Sequence, residues 1–279
     1  MKTFLFHTLF ISLLFFGCTE TKTETKQIVS LPKAKKLFLD KIDVNEQVKT
    51  IHYQLDSAKI SLKDIVDYCQ ISKNANQNIG LIQVACASME NNLEEQNHDY
   101  WAGILYDLKR FYEHLSLLKS EQNQVFIDVG SGNGEKLFAS LCLGFKRAIG
   151  IEYSDSLVAI ANRNLHLFIV QKQVQNHHAD AFQVAPTIYQ EADFIYLYSP
   201  IKDNLAMAKL TQKILQEMKE GTILLEVRFV YGEELKTLMR WDLPTFAGTV
   251  VFKKQDTRFY FAEYDNHQTV WKQISQTKD

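Results

Sequence analysis

The sequence predicts an α/β fold: a mostly parallel sheet, closed by a C-terminal antiparallel hairpin and preceded by an N-terminal helical cap. Three observations predict it. The apolar run Val125-Phe126-Ile127-Asp128-Val129 reads as a buried strand, flows into the glycine turn Gly130-Ser131-Gly132-Asn133-Gly134, and is followed by a helical pattern from Glu135 to Leu141. A second apolar run, Arg147 to Glu152, ends in an acid 24 residues after Asp128. Strand and helix patterns then alternate as far as Val227, after which two β-rich runs joined by polar residues read as a hairpin.

The spacing of the glycines is the discriminating detail. A strand, a glycine turn and a helix N-terminus let backbone approach a nucleotide-like ligand without Cβ collisions. A dinucleotide fingerprint, G-x-G-x-x-G, would place its third glycine at 135, where this chain has Glu135. A carboxylate there would repel a pyrophosphate placed on the helix N-terminus. The plainer alternative is a glycine turn that binds nothing.

The pattern D-x-G-x-G-x-G over Asp128 to Gly134 resembles motif I of the class I S-adenosylmethionine-dependent methyltransferases. The resemblance spans about residues 123–264 and implies a Rossmann-like sheet with S-adenosylmethionine as cofactor. It implies that Asp128 and the backbone of Gly130, Ser131, Gly132 and Gly134 surround the methionine part of that ligand. It gives Glu152 the two ribose hydroxyls, a role for which a strand-end carboxylate has the acceptor capacity. After a third strand over Val174 to His178, the Asp-Ala turn at Asp180 and Ala181 matches the adenine-side motif, with the acid facing the exocyclic amine. His177 and His178 are adjacent on that strand and point to opposite faces, so they do not both ligate one ion easily; no metal site is expected.

The fourth strand, Ala192 to Tyr198, runs into Ser199-Pro200-Ile201. Class I enzymes hold the methyl acceptor in the loop after this strand, which makes Tyr198, Ser199 and Pro200 the acceptor-side candidates. The (Asp/Asn/Ser)-Pro-Pro-aromatic signature of enzymes acting on planar nitrogens is incomplete, because Ile201 and Lys202 follow Pro200. The Asp128 to Gly134 loop also resembles that of Dot1-type lysine methyltransferases, but the Ser199-Pro200 loop lacks their asparagine. Pro200 has the alternative role of ending an apolar strand.

The remaining core follows in order. Asn204 to Met218 carries Leu205, Ala208, Leu210, Ile214, Leu215 and Met218 at helical spacing and stops at Gly221. Thr222 to Val227 is a fifth strand, and Thr249 to Phe252 and Arg258 to Ala262 form the hairpin around Lys253 to Thr257. Upstream, Val44 to Tyr68, Asn78 to Glu94 and Trp101 to Leu118 each read as helix within a cap over residues 44–120, leaving 121–279 as the cofactor domain. His98-Asp99-Tyr100-Trp101 is a candidate lid edge.

Residues 1–18 carry Lys2, an apolar core from Phe4 to Gly17, and Cys18. The core falls short of the ~20 residues that span a bilayer and matches a signal peptide. Gly17-Cys18 resembles the end of a bacterial lipobox, which makes Cys18 the candidate lipidation site. The polar near-repeat from Thr19 to Lys26 opens a flexible tether over 19–43. Membrane association is therefore the expected location, with the cytoplasm, where S-adenosylmethionine is made, as the alternative. Cys69, Cys86 and Cys142 give neither a disulfide framework nor zinc spacing. Net charge −2 leaves no broad footprint for nucleic acid.

The expected function is methyl transfer from S-adenosylmethionine to an O, N or S nucleophile of a small molecule or a protein. The alternatives are an exported, non-catalytic binding lipoprotein on a degenerate methyltransferase fold, and a nicotinamide-dependent oxidoreductase, which Glu135 disfavours.

Overall fold

The computed structural model describes residues 31–91, 107–122, 124–244, 248–263 and 270–277. Cys18, the signal-like segment and the candidate lid edge at His98 to Trp101 lie outside the described residues. Among those described, no helix is long and apolar enough to cross a membrane.

The cap begins with α1 (Lys33–Lys41), α2 (Val48–Ser57), α3 (Leu62–Ile71) and α4 (Ala75–Ala87) and ends with α5 (Leu108–Leu118). Two expectations are corrected here. The tether does not extend to residue 43, because α1 buries Leu39 among the cap helices. The helix expected over Val44 to Tyr68 is two helices. Lys59 takes a left-handed φ of 54°, and Ser61 starts α3 with a reciprocal cap in which its side chain accepts from the Asp64 amide while the Asp64 carboxylate accepts from the Ser61 amide.

The sheet strands are β1 (Val125–Val129), β2 (Arg147–Glu152), β3 (Val174–His178), β4 (Phe194–Leu197) and β5 (Ile223–Phe229). Between them run α6 (Glu135–Cys142), α7 (Asp155–Asn164), α8 (His166–Val170), α9 (Pro186–Glu191) and α10 (Asn204–Glu217). Then come α11 (Gly232–Met239), β6 (Trp241–Asp242), β7 (Gly248–Gln255), β8 (Arg258–Glu263), β9 (Lys272–Gln273) and β10 (Ser275–Gln276). The main sheet has the order β3-β2-β1-β4-β5-β7-β8-β9, and β6 pairs with β10 apart from it. The first five strands are parallel, and β7 runs antiparallel to β5 and β8 to β7. The expected architecture is therefore present. Only the hairpin turn is tighter than expected: Lys253 to Gln255 belong to β7, and Asp256 and Thr257, at φ 53° and 61°, make a two-residue turn of the left-handed kind that matches strand twist.

Two apolar cores sandwich the sheet. One contains Phe126, Ala148, Phe194, Tyr196 and Leu225 together with the cap and α6, and the other contains Ile127, Ile149, Ile195 and Leu224 with α10 and α11. Phe111 of α5 anchors the cap edge-on against Phe126 and Tyr196, at centroid distances of 5.9 and 5.0 Å. The cap is thus a packed layer on one face of the sheet. The carboxyl ends of β1 to β5 meet the loops, and the strand order reverses direction between β1 and β4. Ligands of open α/β sheets bind at such a switch point.

Candidate active site

The glycine loop is held in shape from below and from the side. The Gly130 and Ser131 amides both donate to the Ile151 carbonyl, at 2.8 and 3.2 Å. The Gly132 amide donates to Glu152 Oε2 at 2.9 Å, and Glu152 Oε1 accepts from the Ser154 amide at 2.9 Å. Glu152 is half-buried, and each of its oxygens has one lone pair engaged by backbone and another available for a hydroxyl donor. The strand-end acid expected from the sequence is therefore oriented by two charge-assisted bonds.

The loop glycines have different reasons to be glycine. Gly130 has a φ of 84°, and a Cβ there would stand 2.9 Å from Cβ of Pro200. Gly134 has a φ of 90° and caps α6; its Cβ would stand 2.7 Å from Leu165 Cδ1, so its demand is helix packing. At Gly132, with a φ of 54°, a Cβ would point into open space. Of the three, Gly132 faces the side on which a ligand would lie. The nearby Ser131 hydroxyl is buried and has no hydrogen-bond partner. That hydroxyl packs down onto β2, so what fits a ribose-bearing ligand is the oriented carboxylate beside a glycine that opens onto space.

Gly150, in the middle of β2, supports the loop by having no side chain. A Cβ there would meet Ser131 Oγ at 2.5 Å and Asn176 Oδ1 at 2.7 Å. Asp128 lies beneath the loop, 2% exposed, and burial pushes its carboxyl up to about 8, with Lys136 pulling it down and Glu152 pushing it further up. Glu135 is buried in the first turn of α6, with Asn133 Nδ2 donating to it at 3.2 Å and the Lys136 ammonium 3.6 Å away.

On the other side of Glu152, Tyr153, His178, Ala179, Asp180 and Gln183 line a groove of about 640 Å³. Asp180 caps its own turn: Oδ1 accepts from the Phe182 amide at 2.9 Å and Oδ2 from Gln183 Nε2 at 3.2 Å. Ala181 follows it, half-exposed, with its carbonyl accepting from the Tyr189 hydroxyl. The structure thus brings the ribose-side and adenine-side candidates to one edge of the sheet. Tyr153 and Gln183 are residues that sequence reasoning missed. Tyr153 is 53% exposed directly after the strand-end acid, and that adjacency was the available signal.

The loop after β4 closes the other end. Ser199 is buried and takes a left-handed φ of 38° just before Pro200; Arg228, at the register break inside β5, takes 58°. The Ser199 hydroxyl donates to the Arg228 carbonyl at 3.5 Å, spanning the two strand ends. Two strained non-glycine residues facing each other cost roughly 1–3 kcal/mol each and mark a segment whose shape is imposed by its surroundings. Tyr198 is half-buried, and Pro200 lies against Gly130, so the acceptor-side candidates sit beside the glycine loop.

A family model described as Conserved hypothetical protein 95 matches residues 112–259. Among solved structures, an RNA methyltransferase from Salinibacter ruber in complex with S-adenosyl-L-homocysteine is 23% identical; the match covers 53% of this chain and 90% of that one, with a TM-score of 0.39. A methyltransferase from Geobacter sulfurreducens is 16% identical, with 55% and 81% covered and a TM-score of 0.38. An S-adenosylmethionine-dependent methyltransferase from Thiobacillus denitrificans, in complex with S-adenosyl-L-homocysteine, is 23% identical, with 42% and 47% covered and a TM-score of 0.33. Curated protein sequences give no match.

Proposed function

The chain belongs to the Conserved hypothetical protein 95 family, and from that membership and the geometry of its site we propose that it transfers a methyl group from S-adenosylmethionine to an acceptor held at the end of β4. The observation that carries the proposal is Glu152, oriented by the Gly132 and Ser154 amides beside a Gly132 whose Cβ direction opens onto space. A carboxylate fixed in this way suits a vicinal diol. A pyrophosphate would instead need the α6 N-terminus, where buried Glu135 stands.

In this reading Glu152 holds the ribose, the groove between Tyr153 and Asp180 takes the adenine beside Ala181, and Asp128 with Gly130, Ser131 and Gly132 holds the amino-acid end. S-adenosylmethionine, when bound, supplies an electrophilic methyl on a sulfonium. The work left to the protein is to bring an O, N or S nucleophile into line and to exclude water. Ser199 serves this by tying the loop after β4 to the Arg228 carbonyl of β5, and Pro200 by packing that loop on Gly130. The acceptor can belong to a small molecule or to a protein. Calorimetric titration of residues 27–279 is expected to show binding of S-adenosylhomocysteine and none of NAD. Binding of NAD with no response to S-adenosylhomocysteine would overturn the proposal.

Lipidation of Cys18 belongs to the same proposal and would tether the domain to a membrane through the polar segment that follows. Growth of expressing cells with a labelled fatty acid should mark the wild-type protein and not Cys18→Ser. An unmarked wild type removes the tether.

A further inference from the structure

One side-chain amide connects the cap to the glycine loop. Asn164, the last residue of α7, donates through Nδ2 to the Glu90 carbonyl at 3.0 Å and to the Asn133 carbonyl at 3.1 Å, and its Oδ1 accepts from the Glu90 amide at 2.9 Å. Asn133 Nδ2 closes the bracket by donating to the same Glu90 carbonyl at 3.3 Å. Glu90 follows the cap helix α4, and Asn133 lies between Gly132 and Gly134. Both backbone polar groups of Glu90 are therefore read by asparagines of the cofactor domain. The Glu90 side chain adds a bidentate pair with Arg163 at 2.9 and 2.7 Å. That pair is more than half exposed on both partners, and such pairs contribute little.

We propose that Asn164 is a positioning residue for the cofactor: it fixes the Gly132-Asn133-Gly134 backbone by tying it to the cap, so that cap docking and cofactor binding support each other. The proposal rests on the reading of this loop as the S-adenosylmethionine site. Three features give it content. The carbonyl that Asn164 holds is that of Asn133, the residue after Gly132, whose own amide goes to Glu152. The Asn133 side chain reaches both the cap and Glu135, so the loop would shift if Glu90 moved. Finally, the recognition is of backbone, and the identity of the side chain at 90 is not what carries it.

The test compares Asn164→Ala, Asn164→Asp and Arg163→Ala in the full chain. Two readouts are used: the dissociation constant for S-adenosylhomocysteine at a temperature where every variant is folded, and hydrogen exchange of a peptide covering residues 129–136 without ligand. Asn164→Ala should weaken binding about tenfold and speed exchange of the loop. Asn164→Asp keeps the acceptor for the Glu90 amide but turns a carboxylate towards two carbonyls, and should be at least as weak. Arg163→Ala should bind within twofold of wild type. Coupling is reciprocal, so ligand should slow exchange at residues 88–91 in wild type and fail to do so in Asn164→Ala. A role in fold stability alone would lower the melting temperature while leaving the dissociation constant of the folded protein unchanged, and that result overturns the proposal. If wild type does not bind S-adenosylhomocysteine, the function reading fails, and loop exchange alone decides the bracket: faster exchange in Asn164→Ala but not in Arg163→Ala upholds it, and unchanged exchange sinks it.

Discussion

Replacing Glu152 with alanine should reduce affinity for S-adenosylhomocysteine by a factor of roughly 10² to 10⁴, the largest loss expected of any single change in this protein. Hydrogen bonds to a charged group contribute about 1.5–3 kcal/mol each, and the proposed clamp makes two of them to the ribose. The same carboxylate accepts from the Gly132 and Ser154 amides, so its removal also frees the glycine loop. Some loss of melting temperature should accompany the loss of binding. Calorimetry against the folded variant separates the two effects. A variant that binds as tightly as wild type would show that the ribose is held elsewhere.

Asp128→Asn should change how stability responds to pH. Burial raises the Asp128 carboxyl from its ordinary 3.8 to about 8. Between those values the unfolded chain has lost the proton and the native state keeps it, so the contribution of this group to stability falls as pH rises. The slope approaches about 1.4 kcal/mol per pH unit. Asparagine has a similar shape and does not titrate. The variant should match wild type near pH 4 and exceed it increasingly towards pH 8, by an amount on the order of 5 kcal/mol if the whole shift is realised. Glu226 is also buried and raised, to about 7, with Tyr231 donating to it, but it is common to both proteins and cancels in the difference. A ligand ammonium beside Asp128 would favour the ionised form. Binding to wild type should therefore release protons and tighten up to about pH 8, and binding to the variant should do neither. Urea unfolding of the unliganded proteins at pH 5 and pH 8 checks the first half. An equal difference at both values would refute it.

How much of this was legible in the sequence depended on how local each signal was. β1 and β2 were readable to the residue, because a parallel strand buried on both faces leaves an almost unbroken apolar run. Glu152 was readable because a strand end fixes it. The hairpin was placed but its turn was not: Lys253, Lys254 and Gln255 are polar and look like a loop, yet they continue β7, which pairs with β8 as far as Gln255. The break at Lys59 was hidden inside a continuous apolar periodicity, although the Ser61 and Asp64 pair was a usable signal. Helix α1 was hidden by the charged stretch that begins at Lys33, which buries only Leu39. The bracket at Asn164 left no trace in the sequence. It joins residues 31 and 74 positions apart, and a side-chain amide near a helix end looks the same whether it faces water or another domain.

The contact between Pro200 and Gly130 bears on how the specificity of such a protein could change. In the proposed function one of these loops faces a constant donor and the other a variable acceptor, and Pro200 packs directly on Gly130 between them. Bulk added to either is transmitted to the other. A lineage or a designer seeking a new acceptor would have to leave Pro200 alone and work from Tyr198, Ile201 and the β5 end, or else alter both loops together. On the proposed function, the donor site would thereby limit which acceptors lie within one mutational step.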